Sequence, residues 1–404
     1  MKLSNKKKIA LVLSGGGVKA AAFHIGVCLA LREKGFRFAG GSPEEVQAKY
    51  SDQELTIKFY VGSSAGSVIS TFLAAGYSLN MIIKAFERGS DLLESFDRGA
   101  IDDTHEELRP LSYRDLFAIN GRYILQMIPS MLLRGKGSII AGGIEALVKN
   151  GFSLNGLFTT KGLEKYMRNE VWPTNTFSSL GVDLYIVATQ LNHSRKVIFG
   201  SHDELSKDQS ILYANYATIS EAVAASTSLP PVYAPFPIKN REGIDTYYFD
   251  GEIRDTLSTH VPADHGADLV ISSYSIAPYH YHDAIGSLHE YGIPVILNQA
   301  LYQVVQQKIE KHIQNHRAIS SIYYAVDGYL KQIGLPSEQR EKLLSIITER
   351  SNFHPNTDFI YIHPTKQDYS TFFADHFSLN PQTLRATVQA GFRSAISTLR
   401  KFDI

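Results

Sequence analysis

Ile57-Lys58-Phe59-Tyr60-Val61-Gly62-Ser63-Ser64-Ala65-Gly66 is followed directly by the small and apolar residues 67–75. The first five residues of this segment predict a buried strand, and residues 67–75 predict a helix. A strand, a Gly-x-Ser-x-Gly turn and a helix form the nucleophile-elbow arrangement, which presents one hydroxyl, here that of Ser64, at a helix N-terminus. Small residues at Gly62 and Gly66 permit close approach of neighbouring backbone. The alternative is an ordinary small-residue turn, because so short a pattern also arises by chance.

The rest of the chain alternates between strand and helix patterns. Apolar runs predict strands at residues 9–13, 183–189, 268–272 and 358–362, and helical spacing predicts helices at 18–34, 160–169 and 384–401. Residues 236–239 and 246–249 flank a loop of hairpin length. This alternation predicts an α/β fold with a mostly parallel central sheet and helices on both faces.

Residues 276–356 have a mostly helical pattern, and one helix carries apolar residues at helical spacing: Leu301, Val304, Val305, Ile309 and Ile313. The sequence therefore predicts a catalytic core at 1–275, a helical insertion or subdomain at 276–356, and a final strand and helix at 357–404 that return to the core. Two further apolar stretches, 123–133 and 138–148, predict core helices. The basic residues between the two stretches indicate the alternative, a lid or an interfacial helix that contacts a lipid surface.

The composition excludes several classes of protein. The chain has 404 residues, of which 44% are hydrophobic and 20% are charged, as is ordinary for a soluble protein. Forty basic residues balance 40 acidic ones, which argues against nucleic acid as a required partner. Cys28 is the single cysteine and excludes an intrachain disulfide. No run reaches the roughly 18 apolar residues of a membrane span, and glycines interrupt the apolar run of a secretory signal, so we expect a cytoplasmic protein, at most peripheral at membranes.

A glycine loop, Ser14-Gly15-Gly16-Gly17-Val18-Lys19, follows the first predicted strand. It is not a P-loop, because no Gly-Lys-Ser/Thr follows. With Ala20 it fits the dinucleotide pattern Gly-x-Gly-x-x-Ala, but the second predicted strand lacks the acidic residue that this pattern expects at its end. The third interpretation is an oxyanion hole, in which the N–H groups of Gly15 to Val18 stabilise a developing negative charge.

A serine nucleophile also needs a base, and Asp250 stands at the end of a predicted strand, where α/β enzymes place functional residues. Together with a later histidine it would complete a Ser-Asp-His triad, for which the chain offers His260, His265, His280, His282, His289 and His363. Asp250 could instead accept the serine proton directly. Its ordinary pKa of ~3.9 makes it a weak base, so this role requires desolvation and a close hydrogen bond. The structural alternative is a turn, since Asp-Gly commonly begins one.

Four motifs in order resemble those of patatin-like lipid acyl hydrolases. They are the glycine loop, Gly62-Ser63-Ser64-Ala65-Gly66, the segment Ala225-Ser226-Thr227-Ser228-Leu229-Pro230, and Tyr248-Phe249-Asp250-Gly251. The strand end at 362–364 and the final helix, which contains Gly391, are also similar to the family, so the resemblance covers most of the chain.

The resemblance implies a Ser-Asp dyad with Ser64 as the nucleophile and Asp250 as its sole partner. The implied oxyanion hole consists of Gly15, Gly16, Gly17 and Val18. Family members hydrolyse fatty-acyl esters of phospholipids or other glycerolipids through an acyl-enzyme, without a catalytic histidine, metal or other cofactor. We therefore expect a lipid substrate and transient contact with a membrane surface, while the sequence leaves the oligomeric state open.

The chain departs from the family pattern at Ala20, Glu252, Asp255 and Ser258. Glu252 places a second carboxylate beside Asp250 and is predicted to raise the pKa of that group. Two alternatives to a lipid acyl hydrolase follow from the residues. The loop from Gly15 to Ala20 indicates a dinucleotide-binding oxidoreductase as the first alternative. Glu252 indicates a catalytically weak binding module as the second.

Overall fold

The computed structural model describes residues 2–51, 53–86, 108–120, 156–171, 174–202, 206 and 208–403. Its strands are β1 (Ile9–Leu13), β2 (Arg37–Phe38), β3 (Thr56–Ser63), β4 (Ala118–Ile119), β5 (Phe158–Thr159), β6 (Asp183–Gln190), β7 (Arg195–Phe199), β8 (Ile211–Ala214), β9 (Phe236–Lys239), β10 (Asp245–Asp250), β11 (Leu269–Ser273) and β12 (Asp358–Ile362). The apolar stretches at 123–133 and 138–148 lie outside the described residues, so their prediction stands as made.

The helices are α1 (Gly17–Glu33), α2 (Pro43–Tyr50), α3 (Ala65–Ala74), α4 (Leu79–Phe86), α5 (Tyr113–Leu116), α6 (Lys161–Tyr166), α7 (Ile219–Ser226), α8 (His260–Asp264), α9 (Ile293–Gln332), α10 (Ser337–Ser351), α11 (Ser370–Phe373) and α12 (Pro381–Leu399). Within the ranges given above, no helix combines the length and the apolar character needed to cross a bilayer. The predicted mixed α/β fold with a mostly parallel central sheet is confirmed.

The chain divides into two compact units, of which the first comprises Met1–Ala39, Val46–Val61 and Thr256–Ile404. Its strands pair in parallel: β1 with β11, β11 with β12, and β2 with β3. Every residue of β1 and of β11 is buried, as expected for parallel strands that are covered on both faces. Helices α1 and α12 pack against each other in this unit.

The second unit comprises Gly40–Glu45 and Gly62–Asp255, so the boundary falls inside β3. Strand β6 pairs antiparallel with β7 on one side and with β10 on the other. Strands β9 and β10 form the predicted hairpin, in which Lys239 pairs with Asp245. The β6–β7 and β9–β10 pairs are antiparallel because short loops, rather than helices, connect those strands.

Residues 276–356 consist mainly of α9 and α10. The inner face of α9 packs in apolar clusters through Tyr302, Val305, Ile309 and Ile313. Whether this segment is an insertion into a core at 1–275 and 357–404 stays a prediction.

Candidate active site

Ser64 occupies the turn between β3 and α3, as predicted. Its backbone has φ 50° and ψ −123°, a conformation that residues with a Cβ rarely adopt. Such a conformation costs on the order of 1–3 kcal/mol and persists only where the surroundings fix it. The side chain is buried and stands at the N-terminus of α3, where partial positive charge favours an anion.

The backbone of Ser64 is held by two other serines. Its N–H group donates to Ser226 Oγ at 2.8 Å, and Ser226 in turn donates to the carbonyl of Val187 in β6 at 2.6 Å. The carbonyl of Ser64 accepts from Ser67 Oγ at 2.6 Å. Ser226 belongs to the motif at 225–230, so the structure supplies a physical reason for that motif: it braces the turn that carries Ser64.

Gly62 permits the close approach that the sequence predicted. A Cβ at this position would overlap Cα of Ser67 and lie 2.6 Å from the carbonyl oxygen of Gly66. All of these neighbours are backbone atoms, which cannot move aside as the end of a flexible side chain can. The first turn of α3 therefore packs onto the end of β3 only when residue 62 has no side chain.

We expect Gly62→Ala to lower the free energy of unfolding by roughly 1–3 kcal/mol, the usual cost of overpacking, and to lower activity with it. Urea denaturation measures the effect. Gly328→Ala is the matched control, because Gly328 lies inside α9 and a Cβ there meets nothing within 4 Å. The control should gain about 1 kcal/mol from helix propensity. A Gly62→Ala protein as stable as the wild type would contradict the close-packed elbow.

Asp250 is the last residue of β10, and a hydrogen-bonding interaction with the Ser64 side chain lowers the pKa of its carboxyl group. The N–H of Glu252 donates to the same carboxylate at 2.9 Å. The N–H of Asp250 itself donates to the carbonyl of Ser228 at 3.1 Å. The segment at 225–230 thus supports both residues of the predicted dyad, Ser64 through Ser226 and Asp250 through Ser228.

Burial raises the pKa of Asp250 to about 7, and the hydrogen bonds from Ser64 and from the Glu252 N–H act in the opposite direction. The pKa is therefore raised by the desolvation that Asp250 was predicted to need as a base, whereas the predicted effect of the Glu252 charge is wrong. Glu252 acts through its backbone N–H, which stabilises the charged carboxylate, whereas desolvation disfavours it. A carboxyl group with this pKa is half ionised near neutral pH and is a far stronger base than an exposed aspartate.

Another departure from the family pattern, Asp255, has a local partner. Its carboxylate forms an ion pair with Lys196 Nζ at 2.7 Å. Lys196 lies in β7 and is buried, and a buried ammonium group requires a compensating charge. An asparagine at position 255 would remove this charge from beside Lys196.

The glycine loop lies in the first unit, between β1 and α1, as predicted. Gly16 and Gly17 have φ values of 129° and 71°, and a Cβ on Gly17 would overlap the carbonyl oxygen of His376. Gly16 is the N-cap of α1 and has no side chain that could occupy the first N–H groups of the helix. Such a helix start suits an anion. The role of Gly15, Gly16, Gly17 and Val18 as the oxyanion hole stays a prediction.

Several of the later histidines have partners within the first unit. Nδ1 of His265 donates to the carbonyl of Val261 at 2.7 Å, and the ring of His363 stacks on Tyr274 with centroids 5.0 Å apart. Three causes shift the pKa of Asp250: its burial, the Ser64 side chain and the backbone N–H of Glu252. Within the described ranges, His, Cys, Asp and Glu side chains form no group of three or more that could hold a metal ion.

A family model described as patatin-like phospholipase matches residues 11–263, which include the elbow and Asp250. No curated protein gives a match. Among solved structures, a chain of the crystal structure of full-length SpcU in complex with full-length ExoU from the type III secretion system of Pseudomonas aeruginosa is 16% identical. That comparison covers 98% of this chain and 74% of the other, with a TM-score of 0.22, so the assignment rests on the family model. The chain belongs to the patatin-like phospholipase family.

Proposed function

We propose that this protein is a serine-dependent lipid acyl hydrolase, of the phospholipase A or lysophospholipase type, that works through the Ser64–Asp250 dyad. The observation that carries the proposal is that the Ser64 side chain, on a strained elbow, acts on the buried carboxyl group of Asp250, lowering a pKa that burial raises to about 7. Membership of a phospholipase family supports a lipid ester as the substrate. Such a substrate brings the enzyme into transient contact with a membrane surface.

The reaction proceeds in two halves. Ser64 Oγ attacks the ester carbonyl carbon and gives its proton to Asp250, forming a tetrahedral oxyanion. Collapse of this intermediate breaks the bond to the alcohol, which takes the proton back from Asp250 and leaves as the lysolipid or glycerol product. Water then attacks the acyl-enzyme, again giving a proton to Asp250. The second collapse returns that proton to Ser64 Oγ and releases the fatty acid.

Two features favour this chemistry. A base works best when its pKa lies near the working pH, and burial brings that of Asp250 to about 7. The developing oxyanion needs preorganised donors, each worth about 3–4 kcal/mol of transition-state stabilisation, and we assign this role to the N–H groups from Gly15 to Val18.

We expect an alkyl fluorophosphonate to label Ser64, at a rate that rises with pH through about 7 and then levels off. The reason is that only the ionised Asp250 can take the serine proton, and its pKa is about 7. Mass spectrometry of the labelled peptide, at pH values from 5 to 9, gives both the site and the profile. Labelling of another residue, or a flat profile, would contradict the dyad.

Three further measurements separate the alternatives. A panel of phospholipid, lysophospholipid and glycerolipid substrates identifies the ester that is cleaved. Single replacement of the histidines after Asp250 separates a dyad from a triad, since one inactivating histidine would favour the triad. Thermal stabilisation by a dinucleotide without any label would favour the oxidoreductase. A folded protein with neither label nor hydrolysis would favour a binding module.

A further inference from the structure

Two histidines, His24, which is buried, and His376, which is partly buried, contact backbone carbonyl groups of the glycine loop. Nε2 of His24 lies 2.9 Å from the carbonyl oxygen of Ser14, and Nδ1 of His376 lies 3.2 Å from that of Gly16. His24 belongs to α1, whereas His376 lies beyond residue 263, where the match to the family model ends. Two side chains of the first unit, which are distant in sequence, thus contact the same loop.

The acceptors fix the direction of these hydrogen bonds. A carbonyl oxygen only accepts, so the ring nitrogen that faces it carries the hydrogen. The other nitrogen of a neutral ring then accepts, and a hydroxyl is in place at each ring. Ser273 Oγ lies 2.8 Å from Nδ1 of His24, and Tyr302 Oη lies 2.9 Å from Nε2 of His376. The two histidines are therefore opposite tautomers, each fixed from both sides.

Both rings are neutral at physiological pH. Burial lowers the pKa of His24 and of His376 to about 4, and for His376 the positive charge of Lys19 acts in the same direction. Lys19 Nζ also donates to the oxygen of Tyr302 at 2.7 Å. The hydroxyl hydrogen of Tyr302 is then directed at His376. The N–H of Lys19 donates to the carbonyl of His376 at 3.3 Å, which ties the loop to the same residue a second time.

Because the peptide bond is planar, a contact that fixes a carbonyl group also fixes the N–H group of the next residue. In a trans peptide the carbonyl of one residue and the N–H of the next point in opposite directions. A bond to the carbonyl of Ser14 therefore aims the N–H of Gly15, and a bond to that of Gly16 aims the N–H of Gly17. Glycine peptides rotate more freely than others, so the loop needs external contacts to keep one orientation.

We propose that His24 and His376 are positioning residues that set the orientation of the Ser14–Gly15 and Gly16–Gly17 peptides in the glycine loop. This inference rests on the proposed function, in which those N–H groups stabilise the oxyanion. It also assigns a task to a residue of the C-terminal part of the chain, outside the matched family domain.

Amide side chains provide a reciprocal test, because asparagine places its N–H near the position of histidine Nδ1 and glutamine near that of Nε2. At position 376 we expect His376→Asn to retain most activity and His376→Gln and His376→Leu to lower kcat about 100-fold, with KM little changed. At position 24 the order reverses: His24→Gln retains activity, whereas His24→Asn and His24→Leu lose it. Hydrolysis of a soluble acyl ester gives kcat and KM, and thermal unfolding confirms that each variant folds.

Crystal structures of His376→Asn and His376→Leu supply a readout that does not depend on activity. We expect the Gly16–Gly17 peptide to be retained in the first and rotated in the second. The same amide preferred at both positions, or an unrotated peptide in His376→Leu, would overturn the inference. If the wild type cleaves no ester while the peptide still rotates in His376→Leu, the positioning role stands and the proposed function fails.

Discussion

Ser64→Ala is expected to remove ester hydrolysis, with kcat reduced by about 10⁴-fold or more, while the protein stays folded. Without the hydroxyl no acyl-enzyme forms, and the proton that Asp250 accepts is absent. The substitution keeps the Cβ and the backbone bonds of residue 64 to Ser226 and Ser67, so the elbow has no reason to collapse. Release of fatty acid from the best substrate of the lipid panel measures the loss.

Ser63→Ala is the control for this experiment. Ser63 is the preceding residue and equally buried, and its Oγ is without a hydrogen-bond partner in the part of the chain that the structure describes. Removing this hydroxyl should leave kcat within a few-fold of the wild type. Full activity in Ser64→Ala, or equal losses in both variants, would show that Ser64 is not the nucleophile.

Asp250→Asn is expected to lower kcat about 10³- to 10⁴-fold, because an amide of the same shape cannot accept the proton of Ser64. Asp255→Asn serves as the control, since it removes a nearby carboxylate that pairs with Lys196 instead. It should cost stability but leave most of the activity. Comparable losses of kcat in the two variants would contradict a specific role for Asp250.

The same variant has a predicted effect on stability as a function of pH. The pKa of Asp250 is raised in the folded protein from 3.8 to about 7, so the folded state binds this proton more tightly than the unfolded state does. The stabilising contribution is complete below pH ~4 and is lost as the pH rises through about 7. The stability of Asp250→Asn relative to the wild type should therefore increase as the pH is raised from 5 to 8. Urea denaturation at both values measures this difference, and a constant difference would contradict the raised pKa.

The sequence predicted the main strands well, because buried strands leave a simple signal. The predicted ranges 9–13 and 358–362 coincide with β1 and β12, and the elbow lies where the Gly-x-Ser-x-Gly pattern placed it. The end of β10 at Asp250 also agrees with its sequence prediction. These features depend on local apolar runs and on turn residues, which a sequence displays directly.

The supporting contacts could not be predicted, because they depend on tertiary structure. Ser226 and Ser228 look like ordinary small residues at a helix end, and nothing local connects them with Ser64 or Asp250. The effect of Glu252 on the Asp250 pKa was misjudged for a related reason. A sequence shows that Glu252 carries a charge, but not that its N–H is the group that faces the carboxylate.

Helix α9 illustrates the same limit. Its apolar spacing includes Leu301, yet Leu301 is 60% exposed, whereas its neighbour Tyr302 is 2% exposed. Hydropathy favours the leucine, but the tyrosine hydroxyl has partners in the interior, in Lys19 and His376. Tyr302 lies 283 residues from Lys19, so no local pattern could have indicated the contact.

The position of Asp250 at the end of β10 has a consequence for protein synthesis. The ribosome makes the elbow early and the base late, since Asp250 ends the strand that pairs with β6. A nascent chain that ends before residue 250 therefore carries a nucleophile without its base. In the proposed mechanism, an unfinished chain cannot attack the lipids of the cell that makes it.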